Sequence, residues 1–130
     1  MSNVPIQVVR VSEKGKEALQ RLKNRTKINN WNVLCRWALC QSLALDTRPP
    51  IWVATTESNI EMDWKTFAGD QSSILAGLIR LRAIKEDIDL TDADAVAAHF
   101  RAHLERGISA IQNAKKIEDL LSIATSPRLD

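Results

Sequence analysis

His99 and His103 stand four residues apart, which on a helix puts both imidazoles on one face and within reach of a single metal ion. No carboxylate or thiol at a recognised spacing completes such a site, and Glu105 does not stand where a zinc-hydrolase motif needs its acid. No metal site is therefore expected. Cys35 and Cys40 are five apart, which fits neither a CxxC redox pair nor a disulfide framework. A helix would hold them about 140° apart, so they cannot form one local site, and buried, reduced thiols are expected. Gly15, Gly69, Gly77 and Gly107 are scattered singly and build no phosphate loop, so any ATP chemistry must lie in another protein. Asp92 and Asp94 suit a helix start, where capping and the dipole explain acids without nuclease chemistry. The expectation is a protein with no catalytic group of its own and no cofactor.

Cations carry the stronger signal. Residues 1–48 hold nine Lys or Arg against three Asp or Glu, whereas residues 49–130 hold nine against thirteen, within a net charge of +2. A basic block joined to an acidic one suggests a surface that attracts phosphates. Phosphate contact needs closely spaced cations on a rigid support and no particular catalytic geometry. At about 100° per residue, a helix over 13–26 places Lys16, Gln20, Lys23 and Lys27 on one flank and Lys14, Arg21 and Arg25 in a second row. Arg36 is the single charge on an apolar helix and must find a DNA phosphate, an acid of the same chain or another subunit. These seven residues are the candidate DNA contacts. Of the four tryptophans, Trp37 suits core or interface packing, and Trp31, beside the basic turn, is the candidate for stacking on an exposed base.

The elements that must position these groups follow from periodicity and punctuation. Pro5 to Val11 is β-branched and reads as a strand ended by Ser12, which caps the first helix. Gly15, Ala18, Leu19, Leu22 and Thr26 form that helix's core face. A second helix runs from Trp31 to Leu45, opened by Asn29-Asn30 and stopped by Pro49-Pro50. Ten of the thirteen residues from Val33 to Leu45 are apolar, so this helix needs cover on every side, and a partner subunit is the natural cover. Ile51 to Thr56 and Ile60 to Trp64 read as short strands or extended loop around a polar turn at Glu57-Ser58-Asn59. A third helix over 71–87 carries the stripe Ile74, Leu75, Leu78, Leu81 and Ile84. Thr91 caps a fourth, starting at Asp92, with Val96, Phe100, Leu104, Ile108 and Ile111 at core spacing and Gly107 marking close helix packing. A last helical piece is expected over 116–123, with fraying beyond 126. The fold class is mainly α, a compact helical domain with an N-terminal strand-helix-helix unit like that of ribbon-helix-helix modules. We read residues 1–130 as one domain in the cytosol, since no stretch approaches the roughly 18 apolar residues of a membrane span and no signal peptide is evident.

Four segments carry a family resemblance. They are Leu22-Lys23-Asn24-Arg25-Thr26, the run Asn32 to Leu43 with its LCRWALCQSL core, Glu61 through Thr66-Phe67-Ala68-Gly69-Asp70, and Arg101 to Ile108. In order and spacing, from about Leu19 to Ile111, the chain resembles DndE, the small protein of bacterial DNA phosphorothioation, the sulphur modification of DNA. The resemblance implies an accessory component working beside separate sulphur-mobilising and ATP-using proteins. It also implies a helical tetramer with affinity for DNA, nicked duplex in particular. Where the family is expected to carry glycine after Arg-Thr and Thr-Pro before Asn, this chain has Lys27, Asn30 and Trp31. A different turn between the first two helices is therefore expected.

Two other functions stay open at this point. A ribbon-helix-helix regulator would set the strand Pro5 to Val11 in the major groove, with Gln7 and Arg10 reading bases. A metal-dependent nickase of the same modification system would turn over nicked circles.

Overall fold

The computed structural model describes residues 4–51, 56–116 and 118–120. Strand β1 (Val8–Ser12) leads into α1 (Glu13–Thr26) and α2 (Trp31–Leu43). Strand β2 (Glu57–Asp63), α3 (Trp64–Ala68), a 3-10 turn (Gly69–Gln71), α4 (Ser72–Lys85) and α5 (Ala93–Ile111) follow. The class is mainly α with an N-terminal strand-helix-helix unit. No helix among the described residues is long and apolar enough to cross a membrane.

The first helix has the expected bounds and core face, because both are encoded locally. Ser12 Oγ accepts the Gly15 N–H at 2.9 Å, and Gly15, Ala18, Leu19, Leu22 and Thr26 are all buried. Residues 57–59 form the start of β2, not a polar turn. β2 runs antiparallel to β1, with Val8 opposite Asp63, Arg10 opposite Glu61 and Ser12 opposite Glu57. The Ser58 hydroxyl donates to the Val11 carbonyl at 2.7 Å where the register slips, so a polar side chain substitutes for a ladder bond. The extended segment read over 51–56 lies mostly outside the described residues.

α5 crosses α2 so closely that a Cβ on Gly107 would lie 1.7 Å from the Ala38 carbonyl oxygen. Leu34, Leu39, Phe67, Phe100, Leu104 and Ile108 fill the core between them. The chain thus covers much of α2 itself, and the face left open carries Val33, Trp37 and Cys40.

The third-helix reading needs correction in two ways. Helical structure begins early, at α3, because the Asp63 carboxylate accepts the Thr66 N–H at 2.8 Å and caps it; α4 starts only at Ser72. Further, four of the five stripe residues face outward: Ile74 is 63% exposed, Leu78 44%, Leu81 65% and Ile84 57%. Of the stripe α4 buries Leu75, together with Ala76, Ile79, Arg82 and Ala83. At the start of α5, Asp92 is the cap, accepting from Ala95 N at 3.1 Å, while Thr91 turns back to Asp89. The expected stripe Val96, Phe100, Leu104, Ile108 and Ile111 is buried. Of the piece expected over 116–123, residues 118–120 are helical; the rest, with the frayed end, lies largely outside the described residues.

Candidate nucleic-acid interface

With its apolar face inward, α1 presents its cations outward in two rows. In the first, Lys16 Nζ donates to Asn59 Oδ1 at 2.6 Å, and Lys23 Nζ lies 4.4 Å from the centre of the Trp31 ring. In the second, Arg21 and Arg25 reach Gln112 at the end of α5, through its side-chain and backbone oxygens at 3.3 Å each. Lys14 shares a cleft with that glutamine. Among the described residues, none of Lys14, Lys16, Arg21, Lys23, Arg25 and Lys27 is ion-paired with a carboxylate. The acidic part of the chain behaves differently: Arg82 pairs with Glu86, Arg101 with Glu57 and Glu105, and Lys85 with Asp46.

Lys27 closes α1 in the left-handed conformation, φ 65° and ψ 13°, its N–H bonded to the Lys23 carbonyl. Lys27 thus occupies the left-handed conformation that a glycine would permit. The chain keeps the conformation that suits glycine and places a lysine in it, at a cost of roughly 1 kcal/mol. Lys27→Gly should therefore stabilise the fold by about 0.5–1 kcal/mol while removing one charge from the basic surface. Urea unfolding checks the sign; a less stable glycine variant would contradict the strain argument.

Between α1, the α1–α2 turn and β2 lies an open groove of about 590 Å³. Trp31 and Ile60 line it, with the amides of Gln20, Asn29, Asn30, Asn32 and Asn59 and the Lys16 stem. Asn30 stands at the α2 cap position without capping through its side chain. The structure thus sets Lys16 and Trp31 in one groove, with Lys23 over the Trp31 ring, and leaves Lys14, Arg21 and Arg25 in the second row. Arg36 belongs to neither row. It donates to the Phe67 carbonyl at 2.7 Å and borders the exposed α4 stripe, so its partner is a backbone oxygen, which the sequence reading had not considered. Trp64 is buried, its indole N–H on Ser72 Oγ at 2.8 Å, and Trp52 lies outside the described residues.

The groups with chemical potential fall elsewhere. Cys35 is buried as expected, and burial pushes its thiol up to about 12. Cys40 is exposed, a correction, because α2 turns that flank away from α5. Glu105 accepts from Ser12 N and Oγ at 3.0 and 2.9 Å and from Arg101 Nε at 3.1 Å, which ties α5 to the start of α1.

His99 and His103 converge on Glu86, a partner that no sequence motif flagged. Glu86 Oε1 lies 3.1 Å from His99 Nε2, and Oε2 lies 3.2 Å from His103 Nε2. Burial alone would raise the Glu86 carboxyl; the Arg82 hydrogen bond, and then that of His99, outweigh it and hold it below the usual value. Burial, with His99 beside it, pushes the His103 imidazole down to about 4.

The sequence model of one family, described as DNA sulphur modification protein DndE, matches residues 8–119. That span takes in both basic rows, Arg36 and the buried histidines. No curated protein matches the chain.

Proposed function

The chain belongs to the DndE family of DNA sulphur modification proteins, and from that premise we propose that it is an oligomeric accessory subunit that grips the backbone of duplex DNA, nicked duplex above all. It works beside the other proteins of the modification system and supplies the DNA contact. The observation that carries this reading is the set of six cations on α1 and its terminal turn, none with a carboxylate partner among the described residues. A protein that only decorated its surface would be expected to interleave charges, as the acidic half does. Unneutralised cations at helical spacing gain most from releasing the counterions condensed on DNA.

Replacing Lys16, Lys23 and Lys27 together by glutamine should lower affinity for every duplex sequence alike. Each lost phosphate contact should flatten the plot of log affinity against log salt by roughly 0.9. Titrations of nicked, intact and single-stranded DNA over a salt series test this. A variant with the parent's affinity and slope would move the surface to the Lys14, Arg21 and Arg25 row.

Self-association draws support from the α4 stripe. Ile74, Leu78 and Leu81 are exposed and fall within about 60° on the helix, and Ile74 and Leu78 line, with Val33 and Trp37, a groove of about 420 Å³ between α2 and α4. We place the subunit contact there and propose a tetramer. Light scattering should report that assembly, and Leu81→Lys should dissociate it without unfolding the chain. A wild-type species of 14.6 kDa at micromolar concentration would remove the oligomer from the proposal. The regulator reading is the weaker one, because β1 already pairs with β2 and Arg10 faces Glu61 at 3.8 Å.

A further inference from the structure

Glu86, His99 and His103 come from opposite sides of the α4–α5 connection, yet their donor atoms all lie within 4.8 Å of one another and all three residues are buried. α5 holds the two imidazoles one turn apart, with ring centres 4.7 Å apart. Glu86 is fixed by the end of α4, where its N–H bonds to the Arg82 carbonyl at 3.0 Å and Asp87 takes a left-handed φ of 61°. We propose that these three side chains bind a borderline divalent transition-metal cation, Zn²⁺ being the representative, through His99 Nε2, His103 Nε2 and the Glu86 carboxylate.

The geometry suits a metal. Bonds of about 2.0–2.2 Å from nitrogen and oxygen donors place neighbouring donors roughly 3–3.5 Å apart. The observed 3.1 and 3.2 Å between imidazole and carboxylate lie inside that interval. The surroundings suit it too. His103 Nδ1 lies 2.8 Å from Ser42 Oγ, which in turn receives Arg106 Nε at 2.8 Å. With metal on Nε2, the ring hydrogen moves to Nδ1 and donates to that hydroxyl, the outer hydrogen bond that ligating histidines usually make.

A purely structural hydrogen-bond network leaves one atom unexplained. His99 Nδ1 is buried and is the one buried side-chain polar atom among the described residues with no partner. Such an orphan is costly, and an apolar residue would avoid it. Binding through Nε2 would leave the ring hydrogen on this Nδ1, so His99 is the ligand that lacks an outer hydrogen bond among the described residues. Access comes from a cavity of about 270 Å³ between Pro49, Pro50, Ile88 and Ala98, whose wall includes Glu86 and His99. It has room for a water or other small ligand to complete the coordination shell.

Charge sets the selectivity. Arg82 Nε already bonds Glu86 Oε2 at 2.6 Å, and Arg48 stands 3.8 Å from Oε1, so the carboxylate's field is partly spent. A cation that depends on oxygen donors, such as Ca²⁺ or Mg²⁺, is excluded by that shortage. Two imidazoles favour Zn²⁺, Co²⁺, Ni²⁺ or Cu²⁺.

The full chain, free of any histidine tag, would be stripped with chelator and titrated with Zn²⁺ or Co²⁺. One equivalent should bind, melting temperature should rise with metal concentration, and X-ray absorption of the zinc form should show two imidazoles per ion. His99→Ala, at the cavity wall, should fold and lose at least about 100-fold in affinity, and Ser42→Ala about tenfold. The proposal is overturned if the wild type takes up no stoichiometric metal at micromolar zinc. Equal overturning results are an absorption spectrum without two imidazoles, or undiminished binding in a folded His99→Ala protein. If that variant does not fold, the wild-type absorption spectrum decides by itself.

Discussion

Gly107→Ala should destabilise the protein by at least about 3 kcal/mol, enough to remove a large part of an ordinary domain's stability. The added Cβ would lie 1.7 Å from the Ala38 carbonyl oxygen and 2.3 Å from its carbon, both backbone atoms that no rotamer change can withdraw. Relief requires α5 to move off α2, which opens the contact that buries Leu34, Leu39, Leu104 and Ile108. Alanine's better helix propensity returns only about 1 kcal/mol, so the steric effect wins. Gly77 in α4 provides the control, since nothing lies within 4 Å of its Cβ position. Gly77→Ala should therefore raise stability by about 0.8–1 kcal/mol. The same substitution is expected to act with opposite sign at two helical glycines. Equal urea midpoints for the two variants would show that the α2–α5 approach is not as close as described.

Arg82→Met should cost about 3–5 kcal/mol, measured in chelator so that no metal contributes. Arg82 is 9% exposed, and its guanidinium holds together parts of the chain far apart in sequence. Nε bonds the Glu86 carboxylate, one terminal nitrogen donates to the Leu43 carbonyl at 2.7 Å, and the other donates to those of Leu45 and Thr47. α2 ends without a glycine cap, at Ala44 in right-handed conformation, so Arg82 satisfies carbonyls that would otherwise be stranded there. Methionine keeps much of the aliphatic volume and removes all four interactions, leaving a buried carboxylate short of its strongest donor. Adding Glu86→Leu to Arg82→Met removes that stranded charge. The double variant should be more stable than Arg82→Met alone, and a further loss of stability from the second change would refute the argument.

How far the sequence reached depends on the range of the interactions involved. α1 could be read to the residue, because Ser12, the apolar repeat from Gly15 to Thr26 and the flanking cations act within a turn or two of one another. The α5 stripe and the close approach at Gly107 were legible for the same reason, though not which backbone the glycine would meet. The direction in which the α4 stripe faces was not legible, because that helix is apolar on two sides and local periodicity does not say which one faces in. Tertiary packing decided. The inward side takes small Ala76 and Ala83 beside α5 and the core, and it places Arg82 over the end of α2, while Ile74, Leu78 and Leu81 are left outside. Likewise Glu57-Ser58-Asn59 has the composition of a turn but becomes strand because β1 offers it an open ladder. Glu86 could not be joined to His99 and His103 from spacing, since the turn between α4 and α5 brings them together. Lys27 takes a glycine's conformation because the geometry of α1 against α2 demands a left-handed residue there, whatever the local sequence prefers.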